Sequence, residues 1–218
     1  MARVLPVSFL VSGEGTTLDA IGESIAGGHL SARVALVVAD RPHVPAIERA
    51  RRRGFATTVI PTRGVPESEW TERLTAALRA QGTELVVLAG YLSILPRPWV
   101  AEWRGRVINL HPSLLPRYGG KGMYGPKVHA AVLAAGERET GATVHLVTDA
   151  VDAGPTLLQA RIPIEPNDTP DTLRARLHPV EIRLLTEVLR RFADGTWPLP
   201  YVPREEPALP REERGRSG

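Results

Sequence analysis

Apolar residues in the first half of the chain form short, nearly continuous runs, separated by stretches with helical spacing. Buried strands are predicted at residues 4–11, 32–39, 55–60 and 84–89. Helices are predicted between them at residues 18–25, 44–53 and 66–80. Runs without polar alternation are typical of strands covered on both faces. The alternation of strands and helices therefore predicts a parallel sheet with helices on both sides.

The second half changes this pattern. A short strand is predicted at residues 106–108, a helix at 128–135, a strand at 140–148, and a returning antiparallel strand at 156–164. Residues 169–193 predict a long amphipathic helix, either continuous or broken at Pro179, and capped by Asp168 or Thr169. Together the elements predict an α/β fold, a Rossmann-like three-layer αβα architecture. Its central sheet is mostly parallel, with an antiparallel C-terminal strand.

The domain organisation follows from length and composition. The 218 residues, 43% of them hydrophobic, can bury one substantial core, so residues 1–195 are predicted to form a single domain. Residues 196–218 are rich in Pro, Glu and Arg. We expect them to form an extended or disordered tail.

Composition also narrows the possible partners. No run approaches the roughly 20 apolar residues of a membrane helix, and the formal charge of +3 comes from basic residues scattered among acids. Neither a membrane nor a nucleic acid is therefore an expected partner. The absence of Cys excludes a disulfide framework and a thiolate zinc site, which fits a cytoplasmic protein.

A glycine-rich turn at residues 12–17 follows the first predicted strand. A strand, a tight turn and a helix N-terminus together form an anion site, because free N–H groups and the helix dipole point to one place. The turn lacks the Gly-Lys-Ser/Thr of a Walker A loop, and Leu18 takes the third glycine position of a dinucleotide fingerprint. A single phosphate monoester would suit it better than a pyrophosphate. A plain glycine turn with a Thr N-cap remains the alternative.

Three loops are predicted at the carboxyl edge of the sheet, where open α/β sheets bind ligands. They comprise residues 13–17, 90–95 and 109–111. Asn109 and His111 are expected beyond the end of a strand, two positions apart and on the same side. The alternative is a strand end with a capping Asn and a packed His.

Asp152 supplies a carboxylate that could join Asn109 and His111. A carboxylate raises the pKa of a neighbouring imidazole, and an amide with an imidazolium can stabilise an oxyanion. This trio suits acyl transfer to an amine without a covalent intermediate. Ser113 lacks a nucleophile elbow, and metal-ligand spacing such as His-Glu-x-x-His is absent, so no metal is predicted. His145 is interpreted first as a buried core histidine.

Four segments carry a resemblance to a known family. They are residues 12–18 (SGEGTTL), 88–95 (LAGYLSIL), 109–116 (NLHPSLLP) and 144–155 (VHLVTDAVDAGP). In order and spacing, residues 4–195 resemble the phosphoribosylglycinamide formyltransferases, within the folate-dependent formyltransferase group. The resemblance implies transfer of a formyl group from 10-formyltetrahydrofolate to the amine of glycinamide ribonucleotide, in purine biosynthesis. It implies small-molecule substrates and a monomer or homodimer.

The resemblance also implies roles for the catalytic trio. His111 would be the general acid and oxyanion partner, and Asn109 the donor that polarises the carbonyl. Asp152 would keep His111 protonated and help to move the amine proton through water. His145 matches a family position close to the site, which weakens its interpretation as a core residue.

Binding roles are implied in the same way. The substrate phosphate would be held by Gly15, Thr16 and Thr17, and the substrate ribose by Glu181. The pterin of 10-formyltetrahydrofolate would lie against Leu92, Ser93, Ile94 and Leu95, close to Asn109.

The chain departs from the family pattern at several of these positions. Glu14 stands where the family usually has Asn, and Ser93 where an Arg is frequent. The family has an Arg associated with the folate glutamate tail. Counting along the sequence, Glu67 occupies that position here, and Arg63 is the nearest possible substitute. The Glu-His pair of the last helix is Glu181-Ile182.

Three alternative functions stay open beside the transferase. Methionyl-tRNA formyltransferase shares the Asn-His-Asp chemistry but carries a further C-terminal domain. Formyltetrahydrofolate hydrolase resembles the same core with an added N-terminal domain. A non-catalytic nucleotide- or folate-binding module is the third, and it would be marked by loss of Asn109, His111 or Asp152, all of which are present.

Overall fold

The computed structural model describes residues 3–203 and contains one seven-stranded sheet between two layers of helices. The strands are β1 (Leu5–Val11), β2 (Ala32–Ala39), β3 (Thr57–Val59), β4 (Leu85–Leu88), β5 (Val107–His111), β6 (Glu139–Leu146) and β7 (Thr156–Pro163). The helices are α1 (Thr16–Ala26), α2 (Pro45–Arg52), α3 (Glu67–Ala80), α4 (Arg97–Glu102), α5 (Pro126–Ala134) and α6 (Pro170–Ala193).

The strand order is β3-β2-β1-β4-β5-β6-β7. The pairs from β3 to β5 are parallel, whereas β6 runs antiparallel to both β5 and β7. This topology confirms the predicted Rossmann-like α/β fold with its antiparallel C-terminal part. It also brings the loops after β1 and β4 together, since Ser12 N–H donates to the Gly90 carbonyl over 3.2 Å.

The sheet separates two hydrophobic layers, because successive side chains of a strand point to opposite faces. In β1, Phe9 faces the layer that contains α1, α2 and α6, whereas Leu10 faces the layer that contains α3 and α4. All seven residues of β1 are buried, as expected for a strand covered on both sides. This rigid sheet supports the loops at its carboxyl edge.

Two element boundaries and one additional helix near the predicted site differ from the sequence-based expectation. Helix α1 begins at Thr16 rather than residue 18, so Thr16 and Thr17 form its first turn. Strand β5 runs on to His111, so Asn109 and His111 are its last residues and do not lie beyond it. Helix α4 was not predicted. Its six residues, which follow the N-cap Pro96 and include Pro98, are too few to show helical periodicity.

Helix α6 is one continuous helix of 24 residues with Pro179 inside it. Thr169 is the N-cap: its hydroxyl accepts from the Thr172 N–H, and the Thr172 hydroxyl accepts from the Thr169 N–H. Asp168 assists by accepting from the Thr172 hydroxyl. None of the helices within residues 3–203 has the length and apolar character needed to cross a membrane.

The segment after α6 is better packed than the predicted tail. Trp197, Leu199 and Tyr201 contact the core, and Tyr201 N–H donates to the Gly105 carbonyl over 2.8 Å. Phe192 lies edge-on to Trp197, with 5.4 Å between ring centroids. Residues 196–203 therefore pack onto the domain while containing no helix or strand, which is compatible with an extended segment but not with a disordered one. The rest of the predicted tail, residues 204–218, lies outside the described residues.

Candidate active site

The pairing of β5 with β6 places three polar side chains on one face of the sheet. Asn109 lies opposite His145, and His111 lies opposite Thr143. Directly opposed residues share a face, as do residues two apart in one strand. Asn109, His111 and His145 are therefore held by a strand pair in the rigid part of the molecule.

Asp152 lies at the centre of this group. Its Oδ1 accepts from Asn109 Nδ2 over 3.2 Å and its Oδ2 from the Gly120 N–H over 2.9 Å. The same oxygens lie 3.6 Å from His145 Nε2 and 3.6 Å from His111 Nδ1. The structure thus brings together Asn109, His111 and Asp152, as predicted.

The turn that carries Asp152 depends on close backbone approach. Asp152 has a positive φ of 53°, a conformation that non-glycine residues rarely adopt. A Cβ on Gly154 would lie 1.9 Å from the Leu146 carbonyl oxygen, so only glycine allows the turn to pass this close to the end of β6. The Asp-x-Gly spacing seen in the sequence therefore has a steric cause.

The tautomer of His111 follows from its partners. His111 Nε2 lies 2.8 Å from the Tyr118 carbonyl oxygen, which can only accept, so Nε2 carries a proton. Nδ1 then faces Asp152. Burial lowers the pKa of His111, and the charge of Asp152 and the hydrogen bond to Tyr118 offset this only in part. The net direction is opposite to the predicted rise, because the sequence did not reveal that His111 is buried.

His145 belongs to the site as well as to the core. It is 2% exposed. Its Nδ1 donates to the Leu146 carbonyl over 2.8 Å. Because a neutral imidazole carries a single proton, Nε2 can then accept from Asn109 Nδ2 over 3.1 Å. Asn109 thus directs both amide hydrogens at protein acceptors, His145 and Asp152. Donation to a substrate carbonyl requires one of them to be exchanged.

The predicted phosphate loop lies at the start of α1. Gly15 is the N-cap with φ 72°, and a Cβ there would lie 2.5 Å from the Ala46 Cβ. The first helical hydrogen bond in this turn is Asp19 N–H to the Gly15 carbonyl. The amides of Thr16, Thr17 and Leu18 precede it and are the orphan donors of a helix N-terminus.

The predicted pterin segment divides into two parts. Leu92 and Ile94 are 43% and 58% exposed, and their apolar side chains lie in the loop after β4, the strand next to β5. Leu95 instead packs in the core around α3 and α4. Leu95 is 8% exposed and therefore does not share the solvent-exposed surface that Leu92 and Ile94 offer.

A hydrogen-bond network around the buried side chains of Ser12 and Asp40, under both ligand loops, was missed in the sequence. Asp40 Oδ2 accepts from the Ser12 and Ser93 hydroxyls, each over 2.8 Å. Ser12 Oγ accepts from the Leu92 N–H over 2.9 Å, and Thr62 Oγ1 lies 2.8 Å from Ser93 Oγ. The sequence feature that could have revealed this network is an Asp directly after a predicted buried strand. Ser93 occupies a position at which the family resembled by this sequence often has Arg. Here the Ser93 hydroxyl donates to the Asp40 carboxylate.

Glu181 approaches the catalytic group from α6. Its carboxylate lies 3.3 Å from His178 Nδ1 and its side chain is 15% exposed. Its charge raises the pKa of both His111 and His129, although burial lowers the pKa of each overall. His129 on α5 was not singled out in the sequence, since one His in a helix gives no specific signal.

This arrangement can carry acid–base and oxyanion chemistry on an uncharged or anionic substrate. Buried imidazole and carboxylate groups near each other are a frequent feature of catalytic centres. Among residues 3–203, no group of three or more His, Cys, Asp or Glu is placed to hold a metal ion. The fold and site define an α/β enzyme with an Asn-His-Asp centre at the edge of its sheet.

Comparison with known proteins gives the family. The formyl transferase family model matches residues 5–189, so this chain belongs to the formyl transferase family, as the motifs predicted. The phosphoribosylglycinamide formyltransferase of Escherichia coli (strain K12) is 35% identical over 187 residues, which are 85% of this chain and 86% of that protein. The solved structure of phosphoribosylglycinamide formyltransferase from Coxiella burnetii has 40% identity and a TM-score of 0.82, covering 88% of this chain and 89% of that one.

Some relatives are much longer. The trifunctional purine biosynthetic protein adenosine-3 of Drosophila melanogaster is 39% identical over 87% of this chain, but the match spans only 14% of that protein. A formyltetrahydrofolate deformylase from Pseudomonas syringae has a TM-score of 0.80 at 23% identity, a likeness of fold alone.

Proposed function

We propose that this protein transfers the formyl group of 10-formyltetrahydrofolate to the amine of glycinamide ribonucleotide, a step of purine biosynthesis. The observation that carries the proposal is the buried cluster in which Asp152 lies 3.6 Å from His111 Nδ1 and accepts from Asn109. Its two polar donors and one carboxylate match the needs of an acyl transfer with one proton to move.

The polar cluster and the exposed apolar residues fit the two substrates. Leu92 and Ile94 offer an apolar surface for a flat heterocycle, and the α1 N-terminus offers amides for a phosphate. Glu181, whose side chain is largely buried on α6, can accept hydrogen bonds from ribose hydroxyls. The formyl carbon would then lie between these regions, near Asn109 and His111.

The reaction joins the substrate amine to the formyl carbon, releases the folate nitrogen, and moves one proton from the amine to that nitrogen. Negative charge develops on the formyl oxygen during the attack. Asn109 would donate an amide hydrogen to that oxygen, after exchanging its contact with His145 or Asp152. His111 would take the amine proton on Nδ1 as the attack proceeds and pass it to the departing folate nitrogen, and Asp152 would stabilise the imidazolium in between.

Asp152 is well suited to stay ionised throughout. Although burial opposes this, the neighbouring His145 and His111 side chains and the Gly120 N–H lower its pKa below the ordinary value. An ionised carboxylate 3.6 Å from His111 Nδ1 can help to relay the amine proton to His111 through water. Direct attack, without a covalent enzyme intermediate, is consistent with the absence of Cys from the sequence and of an activated Ser in the described cluster.

The hydrolase is the second candidate, because the deformylase from Pseudomonas syringae shares the fold. It differs from the transferase in one respect that can be measured: water replaces the amine. Methionyl-tRNA formyltransferase differs in requiring an aminoacylated tRNA.

One assay separates these candidates. Purified protein is mixed with 10-formyltetrahydrofolate and either glycinamide ribonucleotide, aminoacylated tRNA or buffer alone, and released tetrahydrofolate is followed by absorbance. The proposal predicts rapid release only with the ribonucleotide. Equal release in buffer alone would favour the hydrolase, and release only with tRNA would refute the ribonucleotide assignment.

The remaining organisation is proposed with the function. Residues 1–195 form the catalytic domain, with residues 196–203 packed onto it. The protein acts on small molecules, with no metal and no nucleic acid in the reaction, as a cytoplasmic monomer or homodimer. Size-exclusion chromatography with light scattering would distinguish the two oligomeric states.

A further inference from the structure

Tyr118 connects the catalytic imidazole to a carboxylate outside the site. Its carbonyl accepts from His111 Nε2 over 2.8 Å, and its hydroxyl donates to Glu137 Oε1 over 2.6 Å. Glu137 lies in the loop between α5 and β6. The same residue therefore contacts the reacting group with its backbone and Glu137 with its side chain.

The backbone of Tyr118 needs such support. Its φ is 57°, in the left-handed region that costs non-glycine residues free energy unless the surroundings impose it. This conformation is what aims the carbonyl at His111. The next residue is tightly packed too, since a Cβ on Gly119 would lie 2.5 Å from Leu115 Cδ2.

Glu137 is itself held in place. Its side chain is 17% exposed and forms an ion pair with Arg117, whose guanidinium lies 5.4 Å from the centre of the Tyr118 ring. A partly buried, charge-assisted hydrogen bond from a phenol is stronger than a neutral one. The Glu137–Tyr118 contact is thus the side-chain interaction that fixes Tyr118.

We propose that Glu137 is a positioning residue: it holds Tyr118 so that the Tyr118 carbonyl keeps the proton of His111 on Nε2. His111 Nδ1 is then left facing Asp152, ready to take the second proton. The structural part of this inference stands on geometry alone, and its consequence for rate rests on the proposed formyl transfer.

The proposal has a consequence for titration. His111 is faced by the charged or titratable groups Asp152, His145, Glu181 and His129. The Tyr118 carbonyl raises the pKa of His111 against the larger effect of burial. Releasing that carbonyl should therefore lower the pKa of His111 further, without changing any of the charged groups around it.

The test compares Glu137→Ala and Tyr118→Phe with the wild-type protein by nitrogen-15 NMR of the histidine side chains across pH. These spectra report which imidazole nitrogen of His111 carries the proton and where it titrates, without any need for activity. We expect a single Nε2–H tautomer in the wild type, and mixed tautomers with a lower His111 pKa in both variants. With both substrates present, kcat should fall about 3- to 30-fold in each.

Three further variants make the result specific. Glu137→Gln keeps an oxygen acceptor for the Tyr118 hydroxyl and should retain the wild-type tautomer and most of kcat. The double variant Tyr118→Phe/Glu137→Ala should be no slower than the slower single variant, because the two side chains act through one contact. Glu139→Ala is the matched control, since Glu139 pairs with Arg161 on the neighbouring strand and should leave kcat unchanged.

An unchanged His111 tautomer and pKa in folded Glu137→Ala would overturn the proposal, as would losses that add fully in the double variant. If Glu137→Ala does not fold, Tyr118→Phe and Glu137→Gln carry the same comparison. A wild-type protein with the Nε2–H tautomer but no formyl transfer would refute the proposed function and leave the positioning role standing.

Discussion

The catalytic cluster and the phosphate loop lie at the same sheet edge but are built differently. Around Asp152, both carboxylate oxygens and both hydrogens of the Asn109 amide contact other protein groups. At the α1 N-terminus, Gly15 provides no side-chain cap, so the first amides are left for a ligand or solvent. One region is organised by its own contacts, whereas the other needs an anion to complete it.

This difference has consequences for mutation. A change in the catalytic cluster alters groups that hold one another, so it should affect the chemical step and the titration of His111. A change in the phosphate loop should act on substrate affinity and leave the chemical step alone once substrate is saturating. Substitutions in the two regions should separate these two kinds of effect.

The largest effect is expected from His111→Ala. Removing the imidazole takes away both the proton carrier and the partner of Asp152, so kcat should fall about 100-fold or more. Substrate binding, measured by calorimetry with the ribonucleotide, should change little. His29→Ala, at an exposed position distant from β5 in sequence, is the control. A wild-type kcat in folded His111→Ala would remove His111 from the mechanism.

Asp152→Asn should have the next largest effect. It removes the charge that raises the pKa of His111, so this pKa should fall and the imidazolium should become harder to form. We expect kcat to fall about 10- to 100-fold, with the pH–rate profile displaced to lower pH. An unchanged profile would contradict the pairing of His111 with Asp152.

The same variant should change how stability depends on pH. The folded-state pKa of Asp152 lies below its ordinary 3.8, so its contribution is present above that value and is lost as pH falls through the lower folded-state pKa. Urea unfolding should therefore show less acid destabilisation below about pH 4 in Asp152→Asn than in the wild type. Parallel curves for the two proteins would mean that Asp152 is not stabilised as an anion.

In the phosphate loop, Gly15→Ala should raise KM for the ribonucleotide and leave kcat nearly intact. An Ala Cβ would collide with Ala46 at 2.5 Å in a backbone with φ 72°, at a cost of about 1–3 kcal/mol. Gly28→Ala is the matched control, since φ is 73° there and no atom lies within 4 Å. It would separate backbone strain from the collision. A fall in kcat with unchanged KM would break the division between the two regions.

The smallest effect is expected from Glu14→Gln. Glu14 is exposed, so its repulsion of a bound phosphate is screened by solvent. Affinity for the ribonucleotide should improve roughly twofold at low ionic strength and hardly at all at high salt. A large loss of affinity would show that Glu14 instead assists binding.

The sequence predicted the fold well because long apolar runs and alternating elements were enough to define it. From the predicted strand ends it also indicated that Asn109, His111 and Asp152 could meet, and the family resemblance then implied that they share one site. The contacts that set their chemistry could not be predicted. The Tyr118 carbonyl and the Gly120 amide are backbone groups, which carry no residue-type signal.

The burial of individual side chains could not be predicted from the sequence either. Whether the pKa of His111 rises or falls depends on the balance between desolvation and the charge of Asp152, and only three-dimensional packing decides it. The hydrogen bonds of Asp40 and the burial of Leu95 escaped prediction for the same reason. The residues were visible in the sequence, but their surroundings were not.

The central claim is direct formyl transfer by the cluster around His111. The most direct test follows a carbon-13-labelled formyl group by NMR, from 10-formyltetrahydrofolate in the presence of glycinamide ribonucleotide and wild-type protein. Direct transfer should carry the label one-for-one to the ribonucleotide amine, without formate or a labelled enzyme, and at least about 100-fold more slowly with His111→Ala. Label that accumulates as formate or on the enzyme, or that reaches the amine equally fast with His111→Ala, would contradict it.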